Sequence, residues 1–202
     1  MNRINALAIA LFAILTVCTA QAQSIVNQDA TMDDYIQLLF NANYDVLAFD
    51  ISSMETNKYG FTPVIMKYEN GKTENVLQDL EDEGFIFTND VPRFTVGVSP
   101  KNDTTRICHI YFGDKGISHS ITINRVYGKY LPRIFPRAFV VPKKLKLNEF
   151  IPLMAISSGY HDGKYGIRSC DVIEFKQKNY LKTTTFQKCP QIYVIGVKCK
   201  EL

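Results

Sequence analysis

The stretch RICHIYFGDKGISHSITI, residues 106–123, decides the fold of this chain. Two runs rich in Ile, Tyr, Phe and Thr flank the polar segment Gly113-Asp114-Lys115-Gly116, which is the pattern of a β-hairpin. Gly116 suits the left-handed third position of a three-residue loop, so we expect residue 113 to pair with 117 and residue 111 with 119. This register predicts one shared buried face that contains Ile107, His109, Tyr111, Ile117, His119, Ile121 and Ile123.

Similar extended runs lie on both sides of this hairpin. One antiparallel meander should form from residues 85–88, 93–98, 106–112 and 117–126. Further strands are expected at residues 44–51, 62–68, 138–141, 150–156, 165–175 and 192–198.

Two short helices are expected before the meander. Thr31-Met32-Asp33-Asp34 resembles a capping box, so the first helix should begin there and end near Ala42. Thr73 is a suitable cap for the second helix, which should end at Gly84 because glycine commonly follows the last helical residue. The predicted class is therefore α+β, mostly antiparallel β-sheet with two short helices in the N-terminal part.

Residues 1–22 have the layout of a cleavable secretory signal peptide. Arg3 supplies a positive start, residues 4–20 carry no charge, and Ala20-Gln21-Ala22 places small residues three and one before the cut. Residues 23–202 would then form a single compact β-rich domain in the periplasm or outside the cell, without a transmembrane segment. The alternatives are lipid attachment at Cys18 and a permanent anchor, for which the apolar stretch is short of the ~20 residues required.

Charge divides the mature chain into an acidic lobe, residues 23–90, and a basic lobe, residues 91–202. The first holds 13 acidic residues and three lysines, whereas the second holds 19 basic and 7 acidic residues. Either the two lobes attract each other within one fold, or the basic lobe presents a surface to an anionic partner.

A basic-aromatic segment, residues 115–146, contains eight cations and no acidic residue. Its composition is typical of a cationic surface that also stacks on a ligand, and an anionic glycan, an envelope lipid or another envelope protein would suit it. Export argues against nucleic acid as the partner. The predicted ligand-binding residues are Arg125, Lys129, Tyr130, Arg133, Arg137, Lys143, Lys144 and Lys146.

Four cysteines remain after signal removal, and we interpret them as structural disulfides or buried thiols whose pairing is left open. They are Cys108, Cys170, Cys189 and Cys199. No Cys/His spacing of a zinc site occurs, so no metal or cofactor is expected. His109 and His119 form either an acid-base or metal pair or a packed pair, and His161-Asp162-Gly163 is expected to be a polar turn.

The common nucleophile, metalloprotease and nucleotide-binding motifs are missing from the sequence, and no catalytic residue is predicted. The leading hypothesis is an exported cell-envelope protein that is a non-enzymatic binding or structural module. The alternative is a hydrolase acting on glycan or peptidoglycan through carboxylates from several strands.

The signal ending Ala-Gln-Ala-Gln at residue 23, followed by a small β-rich domain, resembles the uncharacterised secreted proteins of Bacteroidetes. Residues 76–88, a short helix that ends in Glu-Gly-Phe before a meander, are similar to modules resembling the β-lactamase inhibitory protein. The first resemblance implies O-glycosylation of Asp103-Thr104-Thr105 with Thr104 as the acceptor, whereas in other cells this is an ordinary polar turn.

Overall fold

The computed structural model describes Leu39 and residues 42–123, 136–139, 146–157, 159–163, 166–168 and 180–202. They all belong to one compact unit, Ile36–Leu202, while a second unit, Met1–Tyr35, lies outside the described residues. The predicted signal peptide and most of the predicted first helix therefore lie outside them too. Leu39, near the expected end of that helix, is helical.

The elements of the described residues are mostly strands. The strands are β1 (Asp45–Asp50), β2 (Tyr59–Glu69), β3 (Lys72–Asn75), β4 (Phe87–Thr88), β5 (Arg93–Pro100), β6 (Thr105–Phe112), β7 (Lys115–Thr122), β8 (Pro136–Ala138), β9 (Phe150–Ser157), β10 (Tyr160–Asp162), β11 (Gly166–Arg168) and β12 (Gln191–Glu201). The helical elements are α1 (Gln78–Asp82), a 3₁₀ turn (Tyr180–Lys182) and α2 (Thr184–Lys188). The expected antiparallel, β-rich class is confirmed.

Two sheets make up the body of the unit. A four-stranded sheet has the order β1-β5-β6-β7, and a six-stranded sheet has the order β3-β2-β12-β9-β8, with β4 also paired to β2. Every pairing in both is antiparallel. The predicted meander is confirmed for β5, β6 and β7, but residues 87–88 leave it and join the other sheet.

The predicted register of the β6–β7 hairpin is wrong, because its loop has two residues instead of three. Phe112 pairs with Lys115, and the left-handed residue is Gly113, with φ of 61°. Glycine at the first position of a two-residue loop is the requirement of a type II′ turn, whose twist matches that of the strands. Gly116 instead lies beneath the Tyr111 ring, which a Cβ at this position would overlap.

The corrected register moves three side chains to the opposite face of the sheet. Cys108, Ile110 and Phe112 are buried. Ile107, His109 and Tyr111 therefore point away from the core, because neighbouring strand residues face opposite sides. His119 pairs with Cys108 across the strands and lies on the inner side, so the predicted pair of His109 and His119 does not form.

Helix α1 begins later than predicted. Thr73 lies in β3, and Asn75 instead organises the turn, since its Oδ1 accepts a hydrogen bond of 3.1 Å from the N–H of Leu77. The predicted end is confirmed at Gly84, where a φ of 73° stops the helix. Leu77 occupies the N-cap position and makes no side-chain capping hydrogen bond, so the predicted capping by Thr73 does not occur.

The main core lies between the inner faces of the two sheets. Its centre is a group of phenylalanines around Phe112, whose ring centroid lies 4.5 Å from that of Phe94 and 4.9 Å from that of Phe87. The rest of this core consists mostly of aliphatic side chains, which pack closely between the two sheets. Its fully buried members include Ile65, Val96, Ile110, Leu153, Ile156, Ile195 and Val197.

The six-stranded sheet is buried on its second face as well. Ile192 and Val194 of β12 pack there in a cluster with Phe139, Tyr160 and Cys189. A strand buried on both faces has a continuous apolar run, and β12 therefore lacks the alternation of a half-exposed strand. The predicted turn at residues 161–163 is partly wrong, because residues 161 and 162 lie in strand β10.

Of the four cysteines after residue 22, Cys108, Cys189 and Cys199 are free, buried thiols, and Cys170 lies outside the described residues. No disulfide joins the three. Burial raises the pKa of Cys108 to about 12 and the pKa values of Cys189 and Cys199 to about 11. Thiols that stay protonated in this way are unreactive packing groups.

Candidate functional site

The outer face of the four-stranded sheet, which we define as the side away from the core, carries a row that runs from an exposed valine to small and polar residues. The row crosses the four strands in order. It contains Val46 of β1, Gly97 of β5, His109 of β6 and Ser118 of β7, each opposite the next. Antiparallel pairing in the corrected register therefore brings residues from four strands into one line.

His109 is held between two serine hydroxyls in this row. Its Nε2 lies 2.8 Å from Oγ of Ser99, and its Nδ1 lies 2.8 Å from Oγ of Ser118. Ser99 is 5% exposed, whereas Ser118 is exposed to solvent. Partial burial lowers the pKa of His109, so the imidazole is neutral at neutral pH, with one nitrogen donating and the other accepting.

Tyr111 extends this arrangement into a flat platform. Its ring is nearly parallel to that of His109, with an angle of 27° between the planes and 6.1 Å between the centroids. The ring lies over Gly116, and the side chain is 39% exposed. Its hydroxyl oxygen lies 3.5 Å from Oγ of Ser118, so hydroxyl groups border the two rings.

Most of the basic-aromatic segment lies outside the described residues, so its predicted binding role stays a prediction. Lys146 is exposed and binds Glu149 at 2.7 Å, while Arg137 belongs to the short strand β8. The predicted ligand-binding residues outside the described part are Arg125, Lys129, Tyr130, Arg133, Lys143 and Lys144.

Several ion pairs among the described residues join the acidic and basic lobes, including one of 3.5 Å between Lys58 and Glu201. Lys115 binds Asp90 at 3.0 Å, and Lys198 binds Glu81. The hydrogen bond from Lys115 lowers the pKa of the Asp90 carboxyl group. Some of the opposite charges of the two lobes are therefore paired with each other within the fold. Exposed ion pairs of this kind contribute little to the free energy of unfolding.

Thr104 lies in the turn between β5 and β6. Oδ1 of Asn102 accepts hydrogen bonds from the backbone N–H groups of Thr104 at 3.0 Å and Thr105 at 2.7 Å. The Thr104 hydroxyl also donates to this oxygen, at 3.3 Å. The turn is therefore ordered by a side chain that precedes the predicted acceptor, and Asp103 within it is exposed.

Two small clefts lie beside the β2–β3 hairpin. One of about 210 Å³ is lined by Lys67, Glu69, Asn70, Lys72 and Glu74, and one of about 130 Å³ borders Tyr68 and Phe186. Both are below the roughly 300 Å³ of ordinary ligand pockets. The two glutamates stand among lysines, and Lys67 binds Glu69 at 2.7 Å, which is an ion pair rather than an acid and base.

Sequence reasoning singled out His109 but missed both serines. The alternation of side chains along β5 and β7 could have indicated them, because it places Ser99 and Ser118 on the outer face once the register is known. Within the described part of the chain, no group of three metal-ligating side chains forms, and no helix is long and apolar enough to cross a membrane.

Comparison with known proteins shows the family of the chain. Residues 14–201 match the family model described as Domain of unknown function (DUF5041). No curated protein and no solved structure matches. Because the match spans most of the chain, the protein belongs to the DUF5041 family.

Proposed function

We propose that this chain is an exported cell-envelope protein whose mature domain binds an anionic glycan on the outer face of the four-stranded sheet. The observation that carries the proposal is the platform formed by the nearly parallel rings of Tyr111 and His109. A pyranose ring has a C–H face that packs on such rings and hydroxyl groups around its edge. The platform offers the complementary features of aromatic surface and bordering hydroxyls.

The position of the platform on strands favours recognition of an extended ligand. Tyr111 and His109 are two residues apart on β6, which is paired on both sides over residues 106–112. Sites on regular elements hold their side chains more rigidly than sites on loops. Rings held in advance lose little conformational entropy when a ligand stacks on them.

The basic-aromatic segment would supply selectivity for an anionic glycan. The composition of the segment supports this role, because residues 115–146 contain eight cationic residues and no acidic residue. An envelope lipid or another envelope protein would suit the cations equally, but neither needs a flat ring platform bordered by hydroxyls. The signal at residues 1–22 and an O-glycan on Thr104 belong to the same proposal of an exported protein.

The first test is replacement of Tyr111 by alanine. Retention of the protein in affinity electrophoresis through polygalacturonate should weaken roughly tenfold, which corresponds to about 1.4 kcal/mol. Tyr44→Ala is the matched control, because Tyr44 is 40% exposed and Tyr111 is 39% exposed. Equal retention of the Tyr111→Ala variant and the wild type would refute the platform as the binding site.

The second test concerns the basic segment. Replacing Lys143, Lys144 and Lys146 with glutamate should abolish retention on polygalacturonate without unfolding the domain, as checked by circular dichroism. Retention on a neutral glucan should change much less. Unchanged retention of this variant on polygalacturonate would rule out these lysines as the basis of anionic selectivity.

A further inference from the structure

We infer that Ser118 is a nucleophilic serine, with His109 as its general base and Ser99 as a positioning residue, and that this site cleaves short-chain acyl esters. This activity goes beyond glycan binding and does not depend on it. The substrate class follows from the site: an exposed hydroxyl on an open sheet face can reach an ester carbonyl that projects from a larger molecule.

The hydrogen bonds satisfy the geometric requirements for an activated serine. A nucleophile must lie within hydrogen-bond reach of its base, and a third group must orient that base. Ser118 Oγ lies 2.8 Å from His109 Nδ1, and Ser99 Oγ lies 2.8 Å from Nε2. When the Nε2 hydrogen is donated to Ser99, the lone pair of Nδ1 faces Ser118 and accepts the hydrogen of its hydroxyl group.

Burial assigns different roles to the two serines. Ser99 is 5% exposed, so substrate cannot approach its hydroxyl, and the residue can only fix the orientation of the imidazole. Ser118 is exposed and is therefore the one that can meet a substrate. Three strands hold the three residues, since Ser99 lies in β5, His109 in β6 and Ser118 in β7.

The protonation state of His109 suits a base. Burial lowers its pKa, so the ring is uncharged at neutral pH and its lone pair is available. Tyr111 is a titratable group of the same outer face, with its ring centroid 6.1 Å from that of His109. Asp50 and Arg93 lie opposite each other at the end of β1 and β5, and the pKa of the Asp50 carboxyl group is lowered first by hydrogen bonds with Ser52 and to a smaller extent by the charge of Arg93.

The reaction is an acyl transfer through a covalent intermediate. Ser118 Oγ attacks the ester carbonyl carbon while its proton moves to His109 Nδ1, the ester C–O bond breaks, and the leaving alcohol takes that proton. Water then attacks the acyl-serine, again giving a proton to Nδ1, and the carboxylic acid leaves as Ser118 recovers its hydrogen. The Tyr111 hydroxyl, 3.5 Å from Ser118 Oγ, is placed to donate to the developing oxyanion.

The test uses the mature chain with a fluorophosphonate probe and p-nitrophenyl acetate. Intact mass should show a single phosphonyl adduct, and peptide mapping should place it on Ser118. Ser120→Ala is the matched control, because Ser120 is also exposed on β7 but lies opposite Ile107, whereas Ser118 lies opposite His109. Ser118→Ala should remove the adduct and the ester hydrolysis, whereas Ser120→Ala should retain both.

Two further variants separate chemistry from folding. His109→Gln should lower the rate of labelling by roughly 100-fold or more while the circular dichroism spectrum is retained. Ser99→Ala should keep the adduct but slow its formation and move the pH at which the rate is half-maximal, which loss of packing alone would not do. No adduct on the wild type, or an adduct of equal rate on Ser118→Ala, would overturn the inference.

Discussion

Replacing Asn89 with alanine should destabilise the domain more than any comparable change of an exposed asparagine. Asn89 is 3% exposed and follows β4. Its Oδ1 accepts a hydrogen bond of 2.9 Å from the backbone N–H of Tyr59, and its Nδ2 donates one of 2.8 Å to the carbonyl oxygen of Glu55. The side chain thereby ties the loop between β1 and β2 to the six-stranded sheet.

The magnitude follows from the two backbone groups that lose their partners. The N–H of half-buried Tyr59 would be left unsatisfied, at a cost of about 2 kcal/mol, and the carbonyl of Glu55, nearer to solvent, would cost about 1 kcal/mol. We therefore expect a loss of about 3 kcal/mol in the free energy of unfolding. For a protein of this size, that loss corresponds to a decrease of roughly 6–12 °C in the melting temperature.

Urea denaturation of the protein measures this loss in the free energy of unfolding, and an unchanged m-value would assign the loss to the native state. Asn102→Ala is the control, because the Asn102 side chain also hydrogen-bonds two backbone groups, the N–H groups of Thr104 and Thr105, but is exposed. Water can replace its bonds, so its loss should cost about 1 kcal/mol or less. A cost for Asn102→Ala equal to that for Asn89→Ala would refute the argument that burial sets the difference.

Three further predictions concern β12, the outer face and the β5–β6 turn. Gly196→Ala should prevent stable folding, because its Cβ would overlap the carbonyl oxygen of Ile151; a melting temperature near that of the wild type would contradict this. The depressed pKa of His109 means that stability should fall as the pH decreases from about 6.5 towards the folded-state pKa, and His109→Gln should flatten this part of the melting-temperature profile. Thr104→Ala should remove a glycan mass from protein secreted by a Bacteroidetes host, and an unchanged adduct would exclude this acceptor.

The strands that local composition predicts best are those with long apolar runs. Residues 62–68, 150–156 and 192–198 were predicted as strands and lie within β2, β9 and β12. Helix α2 was missed, although Thr183 marks its start by accepting a hydrogen bond of 3.4 Å from the N–H of Phe186. A single capping threonine before five helical residues is too weak a signal against the β-forming residues around it.

The hairpin shows why local pattern did not determine register. Both Gly113 and Gly116 can adopt a left-handed conformation, so each is compatible with a different loop length. Packing decides between them, because only the two-residue loop places Phe112 against Phe94 and Phe87 in the core. Those contacts come from segments far apart in the chain and are invisible in an 18-residue stretch.

The candidate site depends on the same choice. With the predicted register, His109 would have been buried beside His119 and no platform would exist. In the structure it lies between Ser99 and Ser118, residues from the two neighbouring strands. No spacing along the chain encodes this arrangement, because it requires three strands to be aligned side by side.

The sequence by itself determined the antiparallel β-rich class, many of the strands and the end of α1 at Gly84. These features depend on side-chain alternation and on the backbone freedom of glycine, which act over a few residues. The tertiary structure alone decided the hairpin register, the burial of β12 on both faces and the meeting of His109 with two serines. Each of these is a contact between distant segments, selected by burial of apolar surface in competition with other pairings that local chemistry allows equally well.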